Sequence, residues 1–124
     1  MPHTFTWESD SVYIHFSGVL ASEELMTANS ELVGNPAFDE INYLIWDGTD
    51  IAAIELDSND ADVSSSFAEE TFPYNRFIKV AFITTDKDLH ALISLYVALT
   101  LKKVPDAQQQ IFSNKVDALD WARN

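Results

Sequence analysis

Two dense apolar runs constrain the fold of this 124-residue chain more than any other feature. The first is Asn42–Trp46, which ends at Asp47 and Gly48, and the second is Phe77–Ile83, which ends at Thr84. Each run is short and carries few polar residues, which is typical of a strand that is buried on both faces. Strands of this kind belong to parallel sheets whose faces are covered by helices.

The beginning of the chain has the pattern of a β-hairpin. Thr4–Glu8 and Val12–Phe16 both alternate between apolar and other residues, and a polar turn at positions 10 and 11 separates them. Two short alternating runs across such a turn predict a pair of antiparallel strands. Ser17 and Gly18 are expected to end the second strand.

Helical patterns fill the intervals between the strands. The first helix is predicted from about Ser22 to Val33, with Ser22 as its cap and with Gly34 and Pro36 after it. The other predicted elements are a helix from the 57–62 region to about Thr71, a helix from Asp86 to about Lys103, a strand around Gln109–Phe112, and a last helix that starts at a Ser113 cap and turns Val116, Leu119 and Ala122 inward.

These elements predict a single α/β domain over residues 1–124. Strands that alternate with helices form a mainly parallel sheet, and the hairpin adds an antiparallel edge. The expected fold is therefore a small, mainly parallel mixed sheet of about five strands with an N-terminal antiparallel hairpin and four helices.

Basic residues are absent from the first 75 positions, which limits the classes of partner. That segment carries fifteen Asp and Glu, and the rest of the chain carries five acids and seven bases, for a net charge of −13. A negative potential of this size repels nucleic-acid phosphates and anionic lipid headgroups. We expect no nucleic-acid partner, and membrane contact stays open without being predicted.

The composition also argues against most kinds of catalytic or cofactor site. Without cysteine the chain has no thiolate nucleophile or thiolate metal ligand, and its three glycines cannot build a phosphate-binding loop or a dinucleotide fingerprint. Its three histidines lack metal-ligand spacing. Catalysis by paired carboxylates stays open, but no pair stands out among twenty acids. We expect a non-enzymatic protein without cofactor or metal.

The acidic segment Asp57–Asp62 resembles a calcium-binding loop only superficially. Counted from Asp57, the sixth position is Asp62 where an EF-hand needs glycine, and the twelfth is Ala68 where it needs an acid. A helix cap followed by a negative first turn explains the cluster.

The predicted helix Asp86–Lys103 is unusually apolar. Its apolar residues, which include Leu92, Tyr96 and Leu99, cover an arc of about 200° on a helical wheel, roughly twice the stripe of an ordinary surface helix. A deeply buried crossover helix explains this pattern. It is also explained by a helix that lines an apolar ligand pocket, contacts a second subunit or meets a membrane.

A second candidate site follows from the expected topology. Ligands of open α/β sheets bind beyond the carboxyl ends of the parallel strands. Asp47, Gly48 and Thr84 follow the two buried strands and suit a hydrogen-bonded ligand or a docking partner. Ordinary turn and cap residues explain the same pattern equally well.

The closing pattern of the chain is Ile111-Phe112, then Val116, then Ala118-Leu119-Asp120-Trp121. Together with the hairpin–helix–strand order and the small size, it resembles the SpoIIAA-like family, which is related to STAS domains. The resemblance implies a small α/β module that binds protein partners, with nucleotides or lipids in some relatives.

The resemblance also implies a regulatory site. In anti-sigma-factor antagonists a serine in an Asp-Ser-Ser-Gly-like turn, at the start of the helix after the third strand, is the phosphorylated switch. The corresponding region here is Asp57-Ser58-Asn59-Asp60, followed by Ser64–Ser66, and the Asp-Ser-Ser-Gly motif itself is absent. Ser58 and Ser64 are the phosphoacceptors that the resemblance implies.

These observations favour a non-enzymatic binding or regulatory module. We expect a protein partner, or a small apolar or amphipathic ligand near the apolar helix, and a homodimer is a further expectation. The alternative is a phosphoswitch. The first residues lack the basic and apolar segments of a secretory signal, and the longest apolar run is too short to span a bilayer, so a cytoplasmic location is expected.

Overall fold

The structure, a computed structural model, describes residues 3–124. Five strands and four helices alternate after an initial hairpin, and two short 3-10 helices interrupt the connections. The elements are β1 His3–Trp7, β2 Ser11–Ala21, α1 Ser22–Gly34, β3 Tyr43–Glu55, α2 Ser58–Thr71, β4 Lys79–Ile83, α3 Lys87–Lys103, β5 Gln108–Phe112 and α4 Lys115–Arg123, with the 3-10 helices at Pro36–Asp39 and Phe72–Tyr74.

The strands form one sheet in the order β1-β2-β3-β4-β5. β1 and β2 are antiparallel, and every later pair is parallel. The sheet therefore confirms the predicted fold class. Parallel neighbours require crossover connections, and α1, α2 and α3 provide them.

The two faces of the sheet carry separate apolar cores. Residues of α1, α2 and α3 pack on one face, against side chains such as Val12, Ile14 and Leu44. Residues of α4 pack on the opposite face, against Ile45 and Ala81. The alternation of neighbouring residues between the two cores is the period of two that a strand imposes on its side chains.

β2 and β3 are longer than predicted. β2 continues past Ser17 and Gly18 to Ala21, and β3 continues past Asp47 to Glu55, because the two strands pair along this extension. Gly18, with φ of 70°, lies at an irregularity in the register, in a conformation that glycine adopts without steric cost. Hydrogen bonds between backbones hold this extension, so a side-chain pattern does not reveal it.

β4 does not pair with the extended part of β3. Its last residue, Ile83, pairs with Asp47 of β3. Beyond that pair, residues 50–55 of β3 are paired with β2 on one side and with no other strand of the described chain. The extension is therefore an open edge of the sheet next to the N-terminus of α3.

Three helix predictions need correction. Ser22 does not cap α1, since Ala21 occupies the cap position without a side-chain hydrogen bond and the Ser22 hydroxyl donates to Asp60 at 2.6 Å instead. α4 is capped by the side chain of Asn114, not by Ser113. Val116 does not face inward and is 76% exposed, because Ala118 and Ala122 form the buried side of this short helix.

The other two helices have side-chain caps, and the cap of α2 is the one that its sequence predicted. Asp57 accepts hydrogen bonds from the backbone of residues 59 and 60, and Asp60 accepts one from Asp57, which completes a capping box on α2. Asp86 caps α3 by accepting from the backbone of Leu89 at 2.9 Å. Over residues 3–124, no helix is both long enough and apolar enough to cross a membrane.

Candidate functional site

An apolar cavity of about 140 Å³ lies between the sheet and the three helices α1, α2 and α3. It is neither sealed nor a flat depression. An apolar protein cavity of about 150 Å³ can bind one benzene molecule, so this space admits a compact ligand. The lining side chains come from β2, β3, β4 and all three helices, and they include Phe16, Leu32, Leu44, Trp46, Phe82, Leu92 and Tyr96.

The residues of α2 that are fully buried are small, and the half-buried Phe67 of this helix also lines the cavity. The residues of α2 that are buried are Ala61, Ser64, Ser65 and Ala68, which repeat at helical spacing. The helix packs mainly against α3. Side chains of this size do not fill the space between a helix and a sheet, and packing contacts are lost where the space stays empty.

Aromatic pairs form rigid walls of the cavity. The rings of Phe16 and Trp46 stack with their centroids 5.6 Å apart, and those of Phe82 and Tyr96 meet edge to face at 5.8 Å. All four residues line the cavity. Burial raises the pKa of Tyr96 to about 12, so its hydroxyl stays neutral at physiological pH.

Ser64 gives the cavity an unpaired polar group. Its side chain is only 8% exposed, and its hydroxyl oxygen has no hydrogen-bond partner. Its neighbour Ser65 differs, because the Ser65 hydroxyl donates to the backbone oxygen of Asp62 at 2.8 Å and accepts from Lys103 at 2.9 Å. Buried hydroxyls normally have a partner, so Ser64 is an exception among the buried polar side chains of α2.

The cavity lining contains one ionisable carboxylate and no basic side chain. The carboxylate is Asp60, whose pKa is lowered by the hydrogen bonds from the Ser22 hydroxyl and the Asp57 backbone, so it is negative at neutral pH. No Lys, Arg or His of the described chain lines the space. An anionic ligand group would meet a negative charge here without a compensating cation.

Three of the six predicted ligand or partner residues line this cavity. They are Gly48, Leu92 and Tyr96. At Gly48 an added Cβ would lie 3.0 Å from the Leu89 side chain and 3.1 Å from that of Ile51, so glycine keeps this wall of the cavity thin. These three residues come from β3 and α3, which the sequence alone did not place side by side.

The other three predicted residues lie elsewhere. Leu99 is half-buried on α3 outside the cavity. Thr84 is buried and its hydroxyl accepts a hydrogen bond from the backbone of Asp86 at 3.1 Å, so it acts in the turn that starts α3. Asp47 is also buried, but it is not a member of the cavity lining.

Asp47 takes part in a polar cluster away from the cavity. It accepts hydrogen bonds from the Tyr13 hydroxyl, from the Thr49 backbone at 3.0 Å and from the Thr49 hydroxyl at 2.7 Å. Burial raises the pKa of Asp47, but these hydrogen bonds outweigh it and hold the pKa below its ordinary value. Burial and the nearby carboxylate of Asp47 raise the pKa of Tyr13.

The two serines named as phosphoacceptors have opposite environments. Ser58 is exposed in the first turn of α2, directly after the capping residue Asp57. Ser64 is buried against the cavity, so its hydroxyl is not accessible to a modifying enzyme in the folded protein. We therefore withdraw Ser64 as a phosphoacceptor and retain Ser58 as a prediction.

The prediction from sequence missed most of the cavity. Ala61, Trp46 and Phe82 line it, and none of them was named as a ligand residue. One signal was present in the sequence, because α2 carries alanine and serine at the positions where a core-facing helix usually carries larger apolar residues. Among residues 3–124, no group of three or more His, Asp or Glu side chains is arranged to hold a metal ion.

The strand order, the N-terminal hairpin and the crossover helices define a SpoIIAA-like fold. Solved structures with this fold cover nearly the whole chain. No protein-family profile matches the sequence, and no curated protein matches it.

One similar structure is the anti-sigma factor antagonist SpoIIAA in its unphosphorylated form, with a TM-score of 0.63 and 12% identity over 98% of this chain and 96% of that one. Another is an uncharacterized protein of the DUF3478 family from Shewanella loihica PV-4, described as having a SpoIIAA-like fold. Its TM-score is 0.59, with 20% identity over 97% of this chain and 91% of that one. Identities this low establish the fold alone.

Proposed function

We propose that this protein is a non-enzymatic binding module for a small apolar or amphipathic molecule, which occupies the cavity under α2. The observation that carries the proposal is the apolar space of about 140 Å³ between the sheet and the helices α1, α2 and α3. A natural core is packed with few voids larger than a water molecule, and empty space in it costs stability. A ligand would recover the missing contacts.

The shape of the lining supports a preformed site. Two aromatic pairs and the sheet form walls that do not need to move. The wall made by α2 consists of the small residues Ala61, Ser64 and Ala68 together with Phe67 and Thr71. A compact ligand would therefore bind chiefly by filling space beneath α2.

The test uses benzene as a probe, because its volume matches the cavity. When the wild-type protein is titrated with benzene, the amide chemical shifts of residues around the cavity should change. The melting temperature should rise with benzene concentration. Ala61→Leu fills the space from α2 and should abolish both effects. Ala98→Leu adds the same side chain at an exposed position of α3 and should leave both unchanged.

Two results would contradict the proposal. The first is a wild-type protein whose shifts and melting temperature do not respond to benzene. The second is a response that survives in Ala61→Leu, which would place the probe elsewhere. Native mass spectrometry of the protein isolated from its own cells adds an independent check, with a co-purified small molecule as the expected result.

A second candidate function is supported by the open edge of β3. Residues 51–54, which pair with no strand of the described chain on the side away from β2, border a groove lined by residues such as Ile54, Asp88 and Leu95. Such an edge can accept an extended segment of a partner protein. Ser58 lies three residues beyond the end of β3 and is exposed, so a phosphate there would add negative charge next to the docking strand.

The matched substitutions Ser58→Asp and Ser66→Asp test this candidate, since both serines are exposed on α2. Phosphopeptide mapping of the protein from its source should find phosphate on Ser58 and none on Ser64. A partner retained by the wild type should be lost with Ser58→Asp and kept with Ser66→Asp. Equal retention by both variants, with no phosphate on Ser58, would rule the phosphoswitch out.

A further inference from the structure

We infer that the open edge of β3 binds an extended segment of a partner protein in which apolar residues alternate with lysine or arginine. The segment takes the place in the sheet that β4 leaves vacant beyond Ile83. This assignment rests on the second candidate function, the docking of a partner strand, and specifies the chemistry of that partner. The backbone of the edge, the groove beside it and the charges around the groove support it.

Residues 51–54 offer backbone hydrogen-bonding groups to a further strand. They pair with β2 on one side, and within residues 3–124 no backbone group of a turn or loop bonds to them on the other. Edge strands are commonly protected by lysine or proline, and this stretch, Ile-Ala-Ala-Ile, contains neither. Four residues of a strand span about 13 Å, so a segment of about four or five residues matches the edge.

A groove of about 650 Å³ lies between this edge and the N-terminal half of α3. On the helix side it is lined by Ala91, Leu92 and Leu95, and Leu95 is 37% exposed. Ile54 lines it from β3. Because the side chains of a strand alternate between two faces, every second side chain of a docked segment points to one face of the sheet. Apolar residues at those positions pack against α3.

The charged side chains that line the groove are acidic. They are Asp86 and Asp88, and no basic side chain of the described chain lines it. Glu55 follows the edge residues along β3 and is exposed. None of these three carboxylates forms an ion pair within residues 3–124. Lysine or arginine between the apolar residues of the partner provides the complementary charge.

The same charges disfavour a second copy of this chain at the edge. A two-fold contact brings the same surface of both protomers together, so the carboxylates of Asp86, Asp88 and Glu55 would meet their counterparts. Like charges that face each other across paired strands are unfavourable, and the net charge of −13 adds to the repulsion. A cationic segment is therefore favoured over a homodimer.

The experiment uses end-capped hexapeptides in which valine alternates with lysine, with threonine or with glutamate. A fourth peptide alternates lysine with proline, so it keeps the positive charge and cannot form a strand. Dissociation constants are measured by amide chemical shifts for the wild type, Ala91→Arg and Ala98→Arg. Both alanines are exposed on α3, but Ala98 does not line the groove. The two variants have the same net charge and differ in the position of the added cation.

The lysine–valine peptide should shift the amides of residues 51–54. It should bind about fivefold more tightly than the threonine peptide, because exposed ion pairs are individually weak and several act together. The glutamate and lysine–proline peptides should not bind. Ala91→Arg should weaken binding of the lysine–valine peptide by about tenfold or more, and Ala98→Arg should keep the wild-type value. The advantage of lysine over threonine should shrink at high salt.

The outcomes separate the inference from the docking function. If the lysine–valine and threonine peptides shift residues 51–54 and bind equally, the basic class is wrong while docking at the edge stands. If the lysine–proline peptide binds as well as the lysine–valine peptide, or Ala98→Arg weakens binding as much as Ala91→Arg, binding follows overall charge and the inference is wrong.

Two further results would also overturn it. A free protein that dimerises through residues 51–54 would give the edge to a second copy. If no peptide shifts these residues, both the inference and the second candidate function are wrong. The cavity function is tested with benzene and does not depend on either result.

Discussion

The two faces of the sheet are filled in different ways. On the α4 face, two alanines of a short helix lie directly against Ile45, Ala81 and Ile83. On the other face three helices cover a larger area, yet α2 leaves the space that forms the cavity. On the α4 face, small residues fill the interface because the backbone of α4 lies close to β3 and β4. On the other face, small residues leave unfilled volume because α2 packs mainly against α3 and not against the sheet.

Polar groups follow the same division. Around α4, the Lys79 ammonium donates to the backbone oxygen of Trp121 at 3.2 Å and lies 5.3 Å from the centre of its ring, and Arg123 donates to the Tyr43 hydroxyl at 3.1 Å. On the cavity side, Ser64 has no partner. The polar side chains named around α4 thus have partners within the chain. The cavity side has unfilled volume and a buried hydroxyl without a partner. The ligand site that we propose is on the incompletely filled face.

The largest predicted effect comes from the same substitution made on both faces. Ala118→Leu inserts three heavy atoms where Ala118 is fully buried under α4, and it should lower the free energy of unfolding by about 3 kcal/mol through overpacking. Ala61→Leu inserts the same atoms beside the cavity and should cost less than about 1 kcal/mol or stabilise the fold. Urea unfolding measures both values.

Equal costs for the two substitutions would break the comparison. In that case α2 would be as tightly packed as α4, and the cavity would have no free volume. The exposed Ala98→Leu variant serves as the reference for the effect of leucine on a helix without any packing change.

The second prediction concerns the hydrogen bond from Tyr13 to Asp47. Tyr13→Phe removes a donor from a buried carboxylate and should cost about 1–2 kcal/mol near pH 7. Tyr74→Phe, at a tyrosine that is 69% exposed, should cost nothing measurable. Urea unfolding of both variants, beside the wild type, gives the comparison.

The cost of Tyr13→Phe should depend on pH. The pKa of Asp47 is lower in the folded protein than the ordinary 3.8, so its contribution is present above pH 4 and is lost as the pH falls through the folded value. The difference between wild type and Tyr13→Phe should therefore shrink below pH 4. A difference that stays constant from pH 7 to pH 3 would show that Asp47 does not receive this hydrogen bond in its charged form.

The smallest predicted effects compare two adjacent serines on α2. Ser65→Ala removes a hydroxyl that donates to Asp62 and accepts from Lys103, and it should cost about 1 kcal/mol. Ser64→Ala removes a hydroxyl without a partner and should be neutral or stabilising by a few tenths of a kcal/mol. Thermal unfolding at matched pH distinguishes the two. A cost for Ser64→Ala equal to that for Ser65→Ala would mean that Ser64 has a partner inside the protein.

Much of the fold was predictable because its signals are local. The buried runs around Ile45 and Phe82 became β3 and β4, the alternating start became the hairpin, and the helix predicted from about Ser22 to Val33 became α1. Periodicity reports which side of an element is apolar, and this information lies within a few consecutive residues. It does not report backbone pairing, so the extension of β2 and β3 was missed.

The sequence by itself determined an acidic, cysteine-free α/β chain with an apolar third helix, because composition and period are properties of the residues alone. The tertiary structure alone decided that Leu92 and Tyr96 meet Gly48 across a cavity, that Leu99 stays outside it, and that Asp47 joins Tyr13 instead. Volume between elements depends on how far apart their backbones pack. The effect of the alanines and serines of α2 on the volume of the cavity therefore depends on the position of this helix relative to the sheet, which the sequence does not give.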